Sequence, residues 1–259
     1  MEHFNIEGRD LEYEIRGAGK PLVFLHGMGG SVEQIYGLYK AIPGISLIAV
    51  NQQGHGNSDA CWESYDFEHL ADDISALLDH LHIERAVLAG ISMGAAVALN
   101  LAVRFPERVE KLLLIRNAWT DQPMSEEVRL AYHDLGEALR EGGDAKFKQM
   151  RGWDLVKEPS AYTRNAFLSA FDDAGCLKYW QKYLILPGKT PIGEVRELEK
   201  LTMPVWILAC RNDLCHPFHY GIYLAEYIKG AQFREIVDKD TDSVRHTEMI
   251  NEAIREILQ

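Results

Sequence analysis

Short apolar runs alternate with stretches of helical periodicity along the chain. Residues 4–6 and 11–16 alternate polar and apolar positions around Gly8-Arg9-Asp10, which predicts an antiparallel hairpin at a sheet edge. Pro21-Leu22-Val23-Phe24-Leu25 and residues 45–50 are short, bounded and apolar, as buried strands are. Ser31 with Gln34 three residues on predicts a capping box opening a helix between them. From about Asp66, the residues Leu70, Ile74, Leu77, Leu78 and Leu81 fall on one helical face. Ala86-Val87-Leu88-Ala89 reads as a further buried strand, residues 95–102 as a buried helix stopped by Pro106, and residues 109–115 as the next strand. Strands alternating with helices predict an α/β fold: parallel βα units in a mostly parallel sheet with helices on both faces.

The alternation stops after Trp119. No strand pattern is convincing from there to about Arg196, and helical stretches break at Gly142-Gly143, Pro159 and Pro187-Gly188. We read residues 119–196 as a helical cap inserted into a core made of residues 1–118 and 197–259. Beyond it, Pro204-Val205-Trp206-Ile207-Leu208-Ala209 predicts a strand, followed by a helix from about Pro217 and a strand over residues 233–237. A last helix runs to Leu258, with Met249, Ile250, Ala253, Ile254 and Ile257 on one face.

Gly90-Ile91-Ser92-Met93-Gly94 joins the third buried run to its helix. A serine between two glycines at a strand-to-helix turn is a nucleophile elbow: small neighbours let the backbone through, and the hydroxyl stands out above the sheet. Active sites of parallel sheets lie at the carboxyl ends of the strands, where this loop and its neighbours fall. The loop Gly27-Met28-Gly29-Gly30 leaves a strand directly and can aim the N–H of Met28 above Ser92, with the N–H of Met93 as second oxyanion donor. His26 is expected to brace this loop.

Asp213 comes after the strand ending at Ala209 and can accept an imidazole N–H. Asp238, Asp240 and Asp242 compete with it, but cluster on what reads as a solvated loop. Of ten histidines, His69, His80 and His82 lie well before the elbow, and His55 sits between glycines as a loop brace. His216 and His219 stand so close to Asp213 in sequence that they are not expected to approach Ser92 from the other side. His246, beyond the final strand, gives the order Ser–Asp–His and is expected to be the general base.

Composition narrows the partners. The 259 residues carry a formal charge of −12, which argues against nucleic acid and anionic membrane surfaces. The N-terminus lacks the order of a signal peptide, and no apolar run reaches membrane-spanning length. Cys61, Cys176, Cys210 and Cys215 have neither C-x-x-C spacing nor framework density, so reduced thiols in a cytoplasm are expected. A G-x-G-x-x-G strand–helix signature, a P-loop and metal-ligand spacings are absent, so we expect no cofactor and no metal, and a small-molecule substrate.

Taken together, the motifs resemble the α/β-hydrolase family in its compact form with a helical cap. His26-Gly27-Met28-Gly29-Gly30 is similar to its oxyanion loop, the segment 90–94 to its elbow, and Arg211-Asn212-Asp213 to its acid turn. Gln53-Gly54-His55-Gly56-Asn57-Ser58 is similar to its R-G-H-G-x-S segment. Asn51 and Gln53 stand where the family often has an acid and an arginine, and Arg245 where glycine commonly precedes the histidine. Ser92 argues against a dehalogenase, which would use a carboxylate there. The resemblance implies a cofactor-independent serine hydrolase acting on an ester, thioester or lactone of a small, largely apolar substrate. Carbon–carbon bond hydrolysis, perhydrolysis and a non-catalytic ligand-binding or signalling role stay open on the same scaffold. Trp153 and Trp180, in the aromatic insertion, are the candidate substrate-binding residues, although such rings equally suit packing of the cap helices on one another. Oligomeric state is not legible.

Overall fold

The computed structural model describes all of residues 1–259. Eight strands form one sheet in the order β1-β2-β4-β3-β5-β6-β7-β8. β1 (Glu2–Ile6) and β2 (Arg9–Gly17) are the expected hairpin; β2 also pairs antiparallel with β4 (Ile45–Val50). β3 (Lys20–Leu25), β4, β5 (Ala86–Ile91), β6 (Val109–Ile115), β7 (Val205–Ala209) and β8 (Gln232–Glu235) run parallel. Strands apolar at every position bury both faces: Leu22 and Phe24 of β3 join one core, Val23 and Leu25 the other. On the first face lie α1 (Val32–Leu38) and the last helix; on the second lie α2 (Phe67–His80) and α3 (Met93–Arg104).

Between β6 and β7 the chain forms only helices: α4 (Glu126–Glu141), α5 (Gly143–Phe147), α6 (Arg151–Val156), α7 (Ala161–Ser169), α8 (Ala174–Lys178) and α9 (Gln181–Ile185), with short 3-10 turns after them. They belong to the second core, through Phe147, Val156, Phe167 and Tyr183. α10 (Phe218–Tyr227) connects β7 to β8, and α11 (Lys239–Leu258) ends the chain, with a kink at Asp242. No helix is long and apolar enough to cross a membrane.

Two local expectations change. Ser31 does cap α1, but Gln34 does not close a capping box; its Oε1 accepts the N–H of Gly27 at 2.7 Å instead. The final strand ends at Glu235, so residues 236–238 are a connector into α11. Register then places the site. Leu25 pairs with Gly90, Ile91 with Ile115, and Ile115 with Leu208, so the loops leaving β3, β5, β6 and β7 emerge side by side on one rim.

Candidate active site

Ser92 sits at the elbow with φ 56° and ψ −116°, a strained conformation for a residue with a side chain. Its N–H donates to the Ile115 carbonyl at 3.0 Å, tying the elbow to the neighbouring strand. Both flanking glycines are forced by close approach. A Cβ on Gly90 would lie 2.1 Å from the Gly94 carbonyl oxygen, and one on Gly94 would lie 2.3 Å from that of Leu25. α3 begins immediately after Ser92, so its unpaired N–H groups and positive dipole end face the hydroxyl.

The imidazole at Ser92 belongs to His216, not to His246. His216 Nε2 lies 2.8 Å from Ser92 Oγ, and its Nδ1 lies 2.9 Å from both carboxylate oxygens of Asp213. Sequence proximity does not prevent this; it produces it. The turn 213–216 lets Asp213 Oδ1 accept the backbone N–H of His216 at 3.2 Å, and the same carboxylate takes the ring. His246 is buried inside α11, past the kink, and its Nδ1 donates to the Val237 carbonyl at 2.6 Å. Its Nε2 has no partner. The expectation that His246 meets Ser92 is therefore corrected: the connector 236–238 and α11 commit its ring to the Val237 carbonyl, and a turn after β7 supplies the imidazole instead. Asp238, Asp240 and Asp242 are engaged elsewhere, accepting N–H groups of Thr241, Tyr162 and Arg245.

Arg116, which sequence reasoning missed, completes the group. It comes directly after β6 with φ 50°, and its N–H donates to the Leu208 carbonyl at 2.7 Å. Its Nε and Nη2 donate to Asp213 Oδ2 at 2.9 and 2.5 Å, and both side chains are buried. The only hint in the sequence is a cation closing the apolar run Leu112-Leu113-Leu114-Ile115.

Burial pushes the Asp213 carboxyl up, but His216 and Arg116 outweigh it and hold it well below the ordinary carboxylate range. Burial pushes the His216 imidazole down, Asp213 pushes it up and Arg116 down again; the balance lies below an ordinary histidine. The ring is thus neutral at pH 7. Arg116 Nη2 also stands 3.2 Å from His216 Nδ1, but a guanidinium offers only donors. Assigning the proton to Nδ1, with the carboxylate as acceptor, leaves the Nε2 lone pair for the Ser92 hydroxyl.

The loop 26–30 lies against the elbow: a Cβ on Gly27 would be 3.3 Å from that of Ser92. The N–H groups of Met28 and Met93 donate to no protein acceptor. Histidines brace this loop. Gly29 donates to His55 Nε2 at 3.0 Å, and Gln52 donates to His26 Nε2 at 3.1 Å. Asn51 and Gln53 stabilise the adjoining segment with amides, Asn51 donating to Glu12 and Gln53 to Asp73, both at 2.6 Å. Lys182 of α9 is buried and donates to the Gly54 carbonyl at 2.9 Å, anchoring the insertion to the same segment; burial brings its ammonium down to about 8.

A cleft of about 520 Å³ opens beside this loop, lined by Met28, Tyr132, Leu135, Phe167, Ala170 and Tyr183 among others. Neither Trp153 nor Trp180 lines it, which corrects that expectation. Trp153 packs its ring against Phe147, and Trp180 lies beneath the guanidinium of Arg140. The four cysteines are free thiols, and burial pushes Cys210 and Cys215 up to about 12.

Burial also brings His26 and His246 down to about 4. A group whose native pKa lies below its unfolded value stabilises the fold above that unfolded value and loses the contribution as pH falls towards the native one. Stability should therefore fall between about pH 6.5 and 4, by up to about 3 kcal/mol for each of these rings. Urea titrations across that range should show a shallower slope for His246→Gln; an equal slope would contradict the assignment.

A family model described as alpha/beta hydrolase fold matches residues 20–240, a span that holds the glycine loop, the elbow and the turn at 213–216. The AB hydrolase superfamily protein YisY of Bacillus subtilis (strain 168) is 28% identical over 254 residues, covering 89% of this chain and 86% of that protein. A 2-hydroxymuconate semialdehyde hydrolase of Pseudomonas sp. (strain CF600) is 36% identical over 115 residues, 42% of this chain and 41% of the relative. Among solved structures, an enol-lactonase from Burkholderia xenovorans LB400 superposes with a TM-score of 0.75 at 22% identity, covering 99% of both chains. The chain belongs to the alpha/beta hydrolase family and is a hydrolase of that fold.

Proposed function

We propose that the protein is a serine hydrolase that cleaves an ester, thioester or lactone of a small, largely apolar substrate through an acyl-enzyme. The observation that carries this reading is the pair of contacts on one imidazole, 2.8 Å to Ser92 Oγ and 2.9 Å to Asp213. His216 Nε2 takes the Ser92 proton as Oγ bonds to the substrate carbonyl carbon. The N–H groups of Met28, in the glycine loop, and of Met93, at the head of α3, receive the developing oxyanion; one such donor typically contributes about 3 kcal/mol. Collapse breaks the bond to the leaving group, which takes its proton from the His216 imidazolium. Water, deprotonated by the same nitrogen, then releases the acyl group. Asp213 fixes the tautomer and stabilises the imidazolium.

The helical insertion acts as a cap, and its apolar cleft beside the oxyanion loop is the acyl site. The ester and lactone class is also consistent with the enol-lactonase among the structural neighbours. A fluorophosphonate probe is expected to label the wild type and not Ser92→Ala, and an acyl-chain series of nitrophenyl esters should peak at a length that fits the cleft. Absence of labelling in the wild type would overturn the reading.

A further inference from the structure

The cleft, mostly apolar but holding Asn165, Ser169 and the Asp173 carboxylate (which accepts the Cys176 N–H), also includes Gln34 and Tyr162, and both of these residues line an open groove of about 560 Å³ as well. Cleft and groove therefore meet at one junction, and the polar chemistry there is unbalanced. Lys239 Nζ donates to Tyr162 Oη at 2.8 Å and lies 4.1 Å from the ring centre, while the Arg116 guanidinium sits 5.3 Å from that centre on its way to Asp213. The phenol oxygen thus accepts from Lys239 with the Arg116 guanidinium as a second neighbouring cation, and its own O–H proton meets no protein acceptor. Lys239 has no carboxylate within ion-pair reach, nor does Lys40 on the groove wall. The carboxylate on that wall, Glu248, pairs with Arg245 at 3.4 Å, and Asp240 beside Lys239 accepts from Ser160 and from the Tyr162 N–H. In a chain of formal charge −12, this leaves an idle hydroxyl donor and an unneutralised ammonium at the mouth of the acyl site.

Donors without acceptors where the cleft meets the groove, Tyr162 shared by both and Lys239 on the groove side, specify what they would receive. A half-buried ammonium and a phenolic O–H converging from one side match a carboxylate, which accepts at both oxygens. We propose that the substrate carries an anionic group, a carboxylate at the far end of its acyl chain, received by Tyr162 Oη–H and Lys239 Nζ while the chain fills the apolar cleft. Lys40 adds longer-range attraction from the rim. This rests on the hydrolase reading for the position of the acyl group, and the test separates the two.

Mono-p-nitrophenyl glutarate and p-nitrophenyl valerate have the same acyl length and differ by a terminal carboxylate. The wild-type kcat/KM should favour the glutarate ester by roughly tenfold or more at low salt, because a charge-assisted hydrogen bond is worth about that factor. The preference should shrink as ionic strength rises. Lys239→Met should bring the ratio of the two rates close to one, Tyr162→Phe should lower it, and Lys239→Arg should retain most of it. A ratio of activities is insensitive to partial loss of folded protein. A wild-type ratio at or below one, or a ratio unchanged in Lys239→Met, overturns the proposal. Calorimetric binding of monomethyl glutarate against methyl valerate to Ser92→Ala reads the same preference without turnover. Failure to hydrolyse either ester would count against the hydrolase reading, while equal binding of the two would count against the anion site.

Discussion

Replacing His216 by alanine is expected to lower kcat for a short nitrophenyl ester by about 10⁴-fold or more, to the level left by Ser92→Ala. The two losses should not add, because one group activates the other: once the base is gone, the hydroxyl has no proton acceptor within reach. His246→Gln is the contrast. That ring meets Val237 and offers nothing to the elbow, so kcat should stay within about tenfold of wild type while stability falls by about 1–3 kcal/mol for the lost buried bond. Stopped-time rate assays on the four proteins, with circular dichroism to verify folding, decide the matter. A collapse of kcat in His246→Gln with His216→Ala nearly intact would reverse the assignment and imply that residues 236–246 rearrange when substrate binds.

Much of this site can be read along the chain because strand ends position it. Leu25, Ile91, Ile115 and Leu208 are the last or nearly the last apolar residues of their runs; the register sets Ile91, Ile115 and Leu208 in one row, with Leu25 one residue behind, paired with Gly90. The segments leaving these strand ends therefore gather on one rim: the glycine loop, Ser92, Arg116 and the turn holding Asp213. The elbow is legible for a steric reason, since only glycine fits at 90 and 94. The imidazole at Ser92 is not legible in the same way, because its reach depends on the backbone of a turn rather than on chain order. Asn212 turns the chain with φ 57°, and at His216 the ring returns over the carboxylate. The Asp213-x-x-His216 spacing directly after a buried strand, closed by Pro217, is the signal the sequence offers. Arg116 is masked because a single cation after an apolar run reads as a surface residue. The tryptophans fail differently: which rings line a cleft depends on how α4 and five helices of nine residues or fewer pack on one another, which the periodicity of a single helix does not encode.

Arg116→Met should affect stability and the pH profile together. Removing one partner of a buried ion pair leaves the other charge uncompensated, which costs about 3–5 kcal/mol and, in a chain of this size, on the order of 10 °C in Tm. The signs of the two pKa effects agree. Arg116 holds the His216 imidazole down, so its loss lets the ring protonate at higher pH. It also helps hold the Asp213 carboxyl down against burial, so its loss lets that group protonate more readily. Either change removes the neutral-ring, ionised-carboxylate state that accepts the Ser92 proton in the proposed mechanism. The acid limb of kcat/KM should accordingly move to higher pH, while the same limb in Lys200→Met, an exposed pair remote from the rim, stays in place. A purely structural arginine would lower Tm and leave the limb where it was. A limb displaced to lower pH would contradict both effects, the depression of the imidazole by the Arg116 charge and its support of the ionised carboxylate.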